Sequence, residues 1–124
     1  MKPVDQTQFK TETTKGNCMT AAIASMLELP LEEVPNFVEQ DDFWGSLDSF
    51  LKSYNLCLRT IDTDWCPPWP HFVEGLSPRG VPHIVIYEGD KMVHDPHPSR
   101  AGVEVSRKKI LVPYDLSKMQ RISK

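Results

Sequence analysis

The sequence predicts an α+β fold in two layers, with N-terminal helices packed on an antiparallel β-sheet. Three observations carry that expectation. Apolar residues recur at helical spacing as far as Tyr54 and at a spacing of two beyond it. Seven of the eleven prolines lie between Pro67 and Pro98, which favours rigid turns between short strands over helices. The order, helices first and then a meandering sheet, gives one helical layer on one sheet.

Each element follows from its residues. The stretch 1–16 is polar, rich in Thr and Lys and without a period, and reads as an extended lead-in. Met19, Ala22, Ile23, Met26 and Leu27 then share a helical face, and Ala21, Ala22 and Ala24 permit close packing. Asn17 is a suitable N-cap, which puts Cys18 in the first turn, and Pro30 stops the helix near Leu29. Glu32 to Val34 reads as a short turn ended by Pro35. Phe43 to Tyr54 is the second helix, with Phe43, Leu47, Phe50, Leu51 and Tyr54 on one face and Asn55 as its C-cap. Strands are expected at Leu56–Ile61, His71–Glu74, Val81–Tyr87, Lys91–His94 and Lys109–Val112. Glu88-Gly89-Asp90 closes a hairpin between the third and fourth of these.

Composition narrows the classes of function. A chain of 124 residues, 40% apolar and 25% charged, suits one domain spanning 1–124. Its net charge of −3 offers no basic surface for nucleic acid. The clusters Arg107-Lys108-Lys109 and Lys118, Arg121, Lys124 are short and read as solvated faces. No stretch is apolar enough for a signal peptide or a membrane span, so a cytoplasmic location is expected. Three widely spaced cysteines fit that compartment and make no disulfide framework.

Three residues point to chemistry. Cys18 opens a helix, where unsatisfied N–H groups and the positive end of the dipole favour a thiolate and can stabilise an oxyanion. Gly16 just before it would let a substrate approach the backbone. His83 heads the strand His83-Ile84-Val85-Ile86-Tyr87, and strand ends are where side chains emerge onto a cleft. Asp95 ends the following strand, 12 residues on, so the hairpin brings it beside His83. A carboxylate there would fix the imidazole tautomer and stabilise its cation. Each residue alone has a duller reading: a buried cysteine, a structural histidine, an Asp-Pro turn. The ordered set Cys, His, Asp is what nucleophilic catalysis by a thiol requires. The spacings of Cys57, Cys66, His71, His94 and His97 match no compact zinc site. No phosphate loop or cofactor motif occurs, so neither metal nor cofactor is expected.

The segments Gly-Asn-Cys-Met-Thr-Ala-Ala-Ile-Ala-Ser-Met-Leu, Pro-His-Ile-Val-Ile-Tyr and His-Asp-Pro-His-Pro-Ser resemble motifs of small phage-encoded papain-like cysteine-peptidase-like proteins. More distantly they are similar to bacteriocin-processing peptidases that cut after double-glycine leaders. The resemblance spans roughly residues 3 to 102. It implies a papain-like fold and a triad of Cys18, His83 and Asp95. It also implies an upstream glutamine that donates to the oxyanion, at Gln6, with Gln8 an open alternative. Asn-Cys-Met replaces the Asp-Cys-Gly of the processing peptidases, and the gap from Gln6 to Cys18 is longer here. Those departures leave the substrate open.

The expected function is acyl transfer through a thioester, as a peptidase, isopeptidase or amidase, with a host protein or peptide as substrate. The alternative is a papain-like binding module that grips or inhibits a host protein without catalysis. Asn17, Trp44, Arg79, His97 and Arg100 are the expected substrate contacts, the two arginines for a carboxylate or phosphate. Trp44, Trp65 and Trp69 are expected in the core and the cleft wall.

Overall fold

The computed structural model describes residues 1–10 and 16–118. The polar stretch 11–15 and Arg121 and Lys124 of the second basic cluster lie outside the described residues. The architecture is α+β. Helices α1 (Cys18–Leu27) and α2 (Phe43–Ser53) pack on a five-stranded antiparallel sheet, β1 (Leu56–Ile61), β2 (Pro70–Leu76), β3 (Pro82–Glu88), β4 (Lys91–His94) and β5 (Glu104–Pro113). Short 3-10 turns follow α1 at Leu31–Glu33 and Phe37–Glu39. Among the described residues, no helix is long and apolar enough to cross a membrane.

Helix α1 is the centre of the molecule. Its small residues, Ala21, Ala22, Ala24 and Ser25, are wholly buried, which lets the backbone lie close against β3. The helix ends two residues short of its expected stop. Glu28 takes the left-handed conformation and closes it before Pro30 is reached. Helix α2 starts on Asp42, whose carboxylate accepts from the Gly45 N–H at 3.0 Å. It buries Leu47 and Leu51 against Phe37, Phe72 and Ile86, while Tyr54 stays exposed. Asn55, at φ 58°, follows it as the expected left-handed stop.

The sheet order is β1-β5-β2-β3-β4, so it is not the simple meander expected. The last strand inserts between the first two and, at ten residues, is far longer than Lys109–Val112. Its N-terminal half, Glu104 to Arg107, is exposed and shows no apolar alternation to announce it. A bulge at Glu74/Gly75 joins β2 to β5 there, and a Cβ on Gly75 would collide with the Glu104 carbonyl oxygen. Lys108 and Lys109 are buried, contrary to the solvated face expected of them. Lys108 Nζ donates to the Trp65 carbonyl at 3.0 Å, and Lys109 Nζ pairs with Glu74 at 2.9 Å while lying over the Trp44 ring. β3 and β4 form the expected hairpin, turning at Gly89 with φ 62°.

Candidate active site

The hairpin and α1 bring three side chains into line. His83, the second residue of β3, points toward the start of α1, and Asp95 follows the last residue of β4. His83 Nε2 and Asp95 Oδ1 are 2.6 Å apart and both side chains are buried. With Nε2 engaged by Asp95, Nδ1 is the nitrogen left over, and Cys18 shares with His83 the walls of the adjoining cavities. Cys18 itself is half-buried.

Electrostatics favour a charged histidine. Burial opposes the His83 cation, but the hydrogen bond to Asp95 and the neighbouring Cys18 outweigh it and hold the pKa up to about 9. Burial likewise opposes the Asp95 carboxylate. Hydrogen bonds from His83 and from the backbone N–H groups of His97 and Gly102 outweigh it and bring Asp95 down to about 2. A carboxylate gripped by two amides has one orientation, and it fixes the imidazole ring in turn.

The N-terminal segment closes the site from the other side. Val4 N–H donates to Ser25 Oγ at 2.8 Å, His94 Nε2 to the Val4 carbonyl at 2.8 Å, and Gln6 N–H to the Pro96 carbonyl at 3.0 Å. Gln6 is 7% exposed and lines the same cavity as Cys18 and His83. Its Nε2 donates to the Gln8 carbonyl at 2.9 Å and lies 3.6 Å from where a Cβ on Gly16 would be. Such a Cβ makes only ordinary contacts, so chain packing does not demand glycine here. What Gly16 leaves open is the cavity wall beside the thiol. Gln8 is exposed, with its Oε1 accepting from Asn36 Nδ2 at 3.0 Å, and it does not line that cavity.

Two expected substrate contacts are committed elsewhere. Asn17 makes no side-chain cap on α1. Its Oδ1 accepts from the N–H groups of Thr7 and Gln8 at 3.0 and 2.9 Å, and its Nδ2 donates to Thr7 Oγ1. Arg100 grips Asp5 with both terminal nitrogens, at 2.6 and 2.7 Å, and donates also to the Asp95 carbonyl. Both residues staple the N-terminal segment to the rest of the site, and neither lines a groove around the thiol.

The other expected contacts do meet at the thiol. A cavity of about 440 Å³ on the Gln6 side is walled by Phe9, Lys10, Arg79 and His97. A groove of about 400 Å³ on the opposite side is walled by Met19, Phe43, Trp44 and Leu76. Cys18, Val38, Pro82 and His83 belong to both. Sequence reasoning missed Phe9, Lys10 and Val38, which belong to no apolar period, and the Asp5–Arg100 pair, whose partners are 95 residues apart. Trp65 and Trp69 pack on each other at the surface, away from both grooves.

The arrangement is a thiol, an imidazole and a carboxylate in series, with a side-chain amide and a helix start beside the thiol. Protein-family models, curated proteins and solved structures were all compared with this chain, and none matches it.

Proposed function

We propose that this chain is a cysteine-dependent acyl-transfer hydrolase of papain-like type, phage-encoded and acting on a peptide, isopeptide or side-chain amide of a host protein. The observation that carries this reading is His83, held by Asp95 through Nε2 with Nδ1 left over, in cavity walls that it shares with Cys18. A structural histidine has no need of a half-exposed thiol at the crossing of two grooves.

The steps balance within these groups. Cys18 Sγ, giving its proton to His83, attacks the carbonyl carbon, and the carbonyl oxygen takes the negative charge. The Cys18 amide and the Gln6 side chain are the donors this reading assigns to that oxygen. The C–N bond breaks as His83 gives its proton to the leaving amine, leaving a thioester on Cys18. Water then attacks the thioester, His83 takes the water's proton, and the acid departs as the thiolate is restored. Asp95 stays ionised throughout and holds the ring.

A non-catalytic binding module is the second reading, and one observation favours it. One Gln6 amide hydrogen is already spent on the Gln8 carbonyl, so only the other remains for an oxyanion. Rates of alkylation by iodoacetamide at pH 6 separate the two. Catalysis requires Cys18 to react well ahead of the exposed Cys66 and the buried Cys57, and His83→Ala to slow it without loss of the cooperative melt. Equal rates for Cys18 and Cys66 remove the ion pair and leave the binding module. Pull-down from host lysate with Cys18→Ala, followed by mass spectrometry, then identifies the protein whose processing the active chain causes.

A further inference from the structure

Two arginines flank the site, and they differ in what they hold. Arg100 is saturated by Asp5. Arg79, in the turn before β3, is exposed and has no acidic partner among the described residues. Its Nη1 donates to Ser99 Oγ at 3.1 Å, and Ser99 is fixed in turn by His97 Nδ1 at 2.9 Å. The guanidinium is therefore aimed, with donors left over. It shares the Gln6-side cavity with Lys10, and among the described residues no carboxylate lines that cavity. The opposite groove is different. Its one acidic wall residue, Glu74, is neutralised by Lys109, and its aromatic and aliphatic walls dominate, with Arg107 beside them.

A fixed fork of unsatisfied N–H donors beside a nucleophile is a receptor for a planar anion. We propose that Arg79, assisted by Lys10, binds a carboxylate of the substrate on the Gln6 side of the bond that is cut. The substrate class is thus an acyl compound with an acidic group close to the scissile amide. This rests on the thiol-hydrolase reading and adds to it a substrate charge and a side. The acidic group has two sources, a free chain terminus or an Asp/Glu side chain, which share one chemistry. Attraction to the exposed Arg79 and Lys10 weakens as salt rises.

Chloroacetyl probes test the assignment on the intact chain, since attack forms an Sγ–C bond, expels chloride and needs no known substrate. Three are compared: chloroacetyl-glycine, with a terminal carboxylate; chloroacetyl-glutamic acid α-amide, with a side-chain carboxylate; and neutral chloroacetyl-glycinamide. The readout is the ratio of Cys18 modification rates, acidic probe over neutral, followed by mass spectrometry on one protein sample. We expect a ratio of roughly ten for at least one acidic probe, the factor associated with a charge-assisted hydrogen bond. The better acidic probe names the source. The ratio falls toward one in Arg79→Gln and is largely kept in Arg79→Lys. A ratio near one in the native chain overturns the proposal, as does a ratio that survives Arg79→Gln, since His83 would then suffice. Loss in Arg107→Gln with retention in Arg79→Gln overturns it as well. A Cys18 no faster than Cys66 toward every probe overturns the hydrolase reading itself, which a fast Cys18 with no preference leaves standing.

Discussion

The β3–β4 hairpin and the N-terminal segment deliver their site residues by opposite means. The hairpin ladders Ile86–Glu88 to Lys91–His94 with a bulge at Ile86/Tyr87, and His83, itself paired with Gly75 of β2, meets Asp95 at 2.6 Å just beyond that ladder. The segment, residues 1–10, has no regular structure, and Gln6 is held there by bonds to Ser25, Asn17, His94, Pro96 and Arg100 that come from distant parts of the chain. Ladders share their load among many equivalent bonds. Staples are few and individually replaceable. The hairpin's site residues should therefore be tied to stability, and the segment's to turnover alone.

The sharpest way to break that contrast is Asp95→Ala. It strands a buried histidine and the amides of His97 and Gly102, and we expect a loss of about 3–5 kcal/mol, read from denaturant midpoints at constant slope. A loss under about 1 kcal/mol would mean that the hairpin is held without the pair. Gln6→Ala should do the reverse. Turnover on a substrate, once found, should drop by roughly 10²–10³ with little change in melting or in Cys18 alkylation. If melting falls instead, Gln6 is a packing residue and the segment belongs with the hairpin.

Proton linkage gives the smallest effect and the finest test. Asp95, lowered from 3.8 to about 2, contributes stability that is fully present above pH 3.8 and lost as pH falls through 2. His83, raised from 6.5 to about 9, contributes stability that is fully present below pH 6.5 and lost as pH rises through 9. The chain should thus be most stable between those inner limits. It should weaken by roughly 2–4 kcal/mol along each limb, more on the alkaline one, because each tenfold change in proton affinity is worth about 1.4 kcal/mol. Both limbs share the His83–Asp95 bond, to which Cys18 adds on the alkaline side and the His97 and Gly102 amides on the acid side. Asp95→Asn should remove the acid limb and shrink the alkaline one, with Gln6→Ala changing neither. Urea titrations from about pH 1 to about pH 10, which cross both folded-state pKa values, would show it.

The same division explains what could be read from the sequence. The period-two runs at Ile84, Ile86 and Leu56, and the Gly89 turn, announce strands and a hairpin, and Asp95 follows from counting along them. The small residues of α1 announce a helix close to the sheet. The order of the strands was not legible, because the exposed start of β5 carries no apolar signal and a bulge shifts its register. Nor was the fate of Asn17 and Arg100. Their side-chain types suit a cap and an anion site equally well as the bonds they make, and only the fold decides whether Asp5 is near. Arg79 and Arg100 look alike in sequence, and proximity to that aspartate separates them.

The staples also set an order of events. Synthesis runs from the N-terminal side, so the segment bearing Gln6 emerges before Cys18 and well before the hairpin. Atoms that seat the segment come from His94 and Arg100, 90 and 95 residues further along than their partners Val4 and Asp5, and from Pro96. Until those residues have been made and the hairpin has closed, Gln6 has no place to dock and the thiol has no histidine beside it. The thiol and the imidazole therefore come together only once the hairpin has closed.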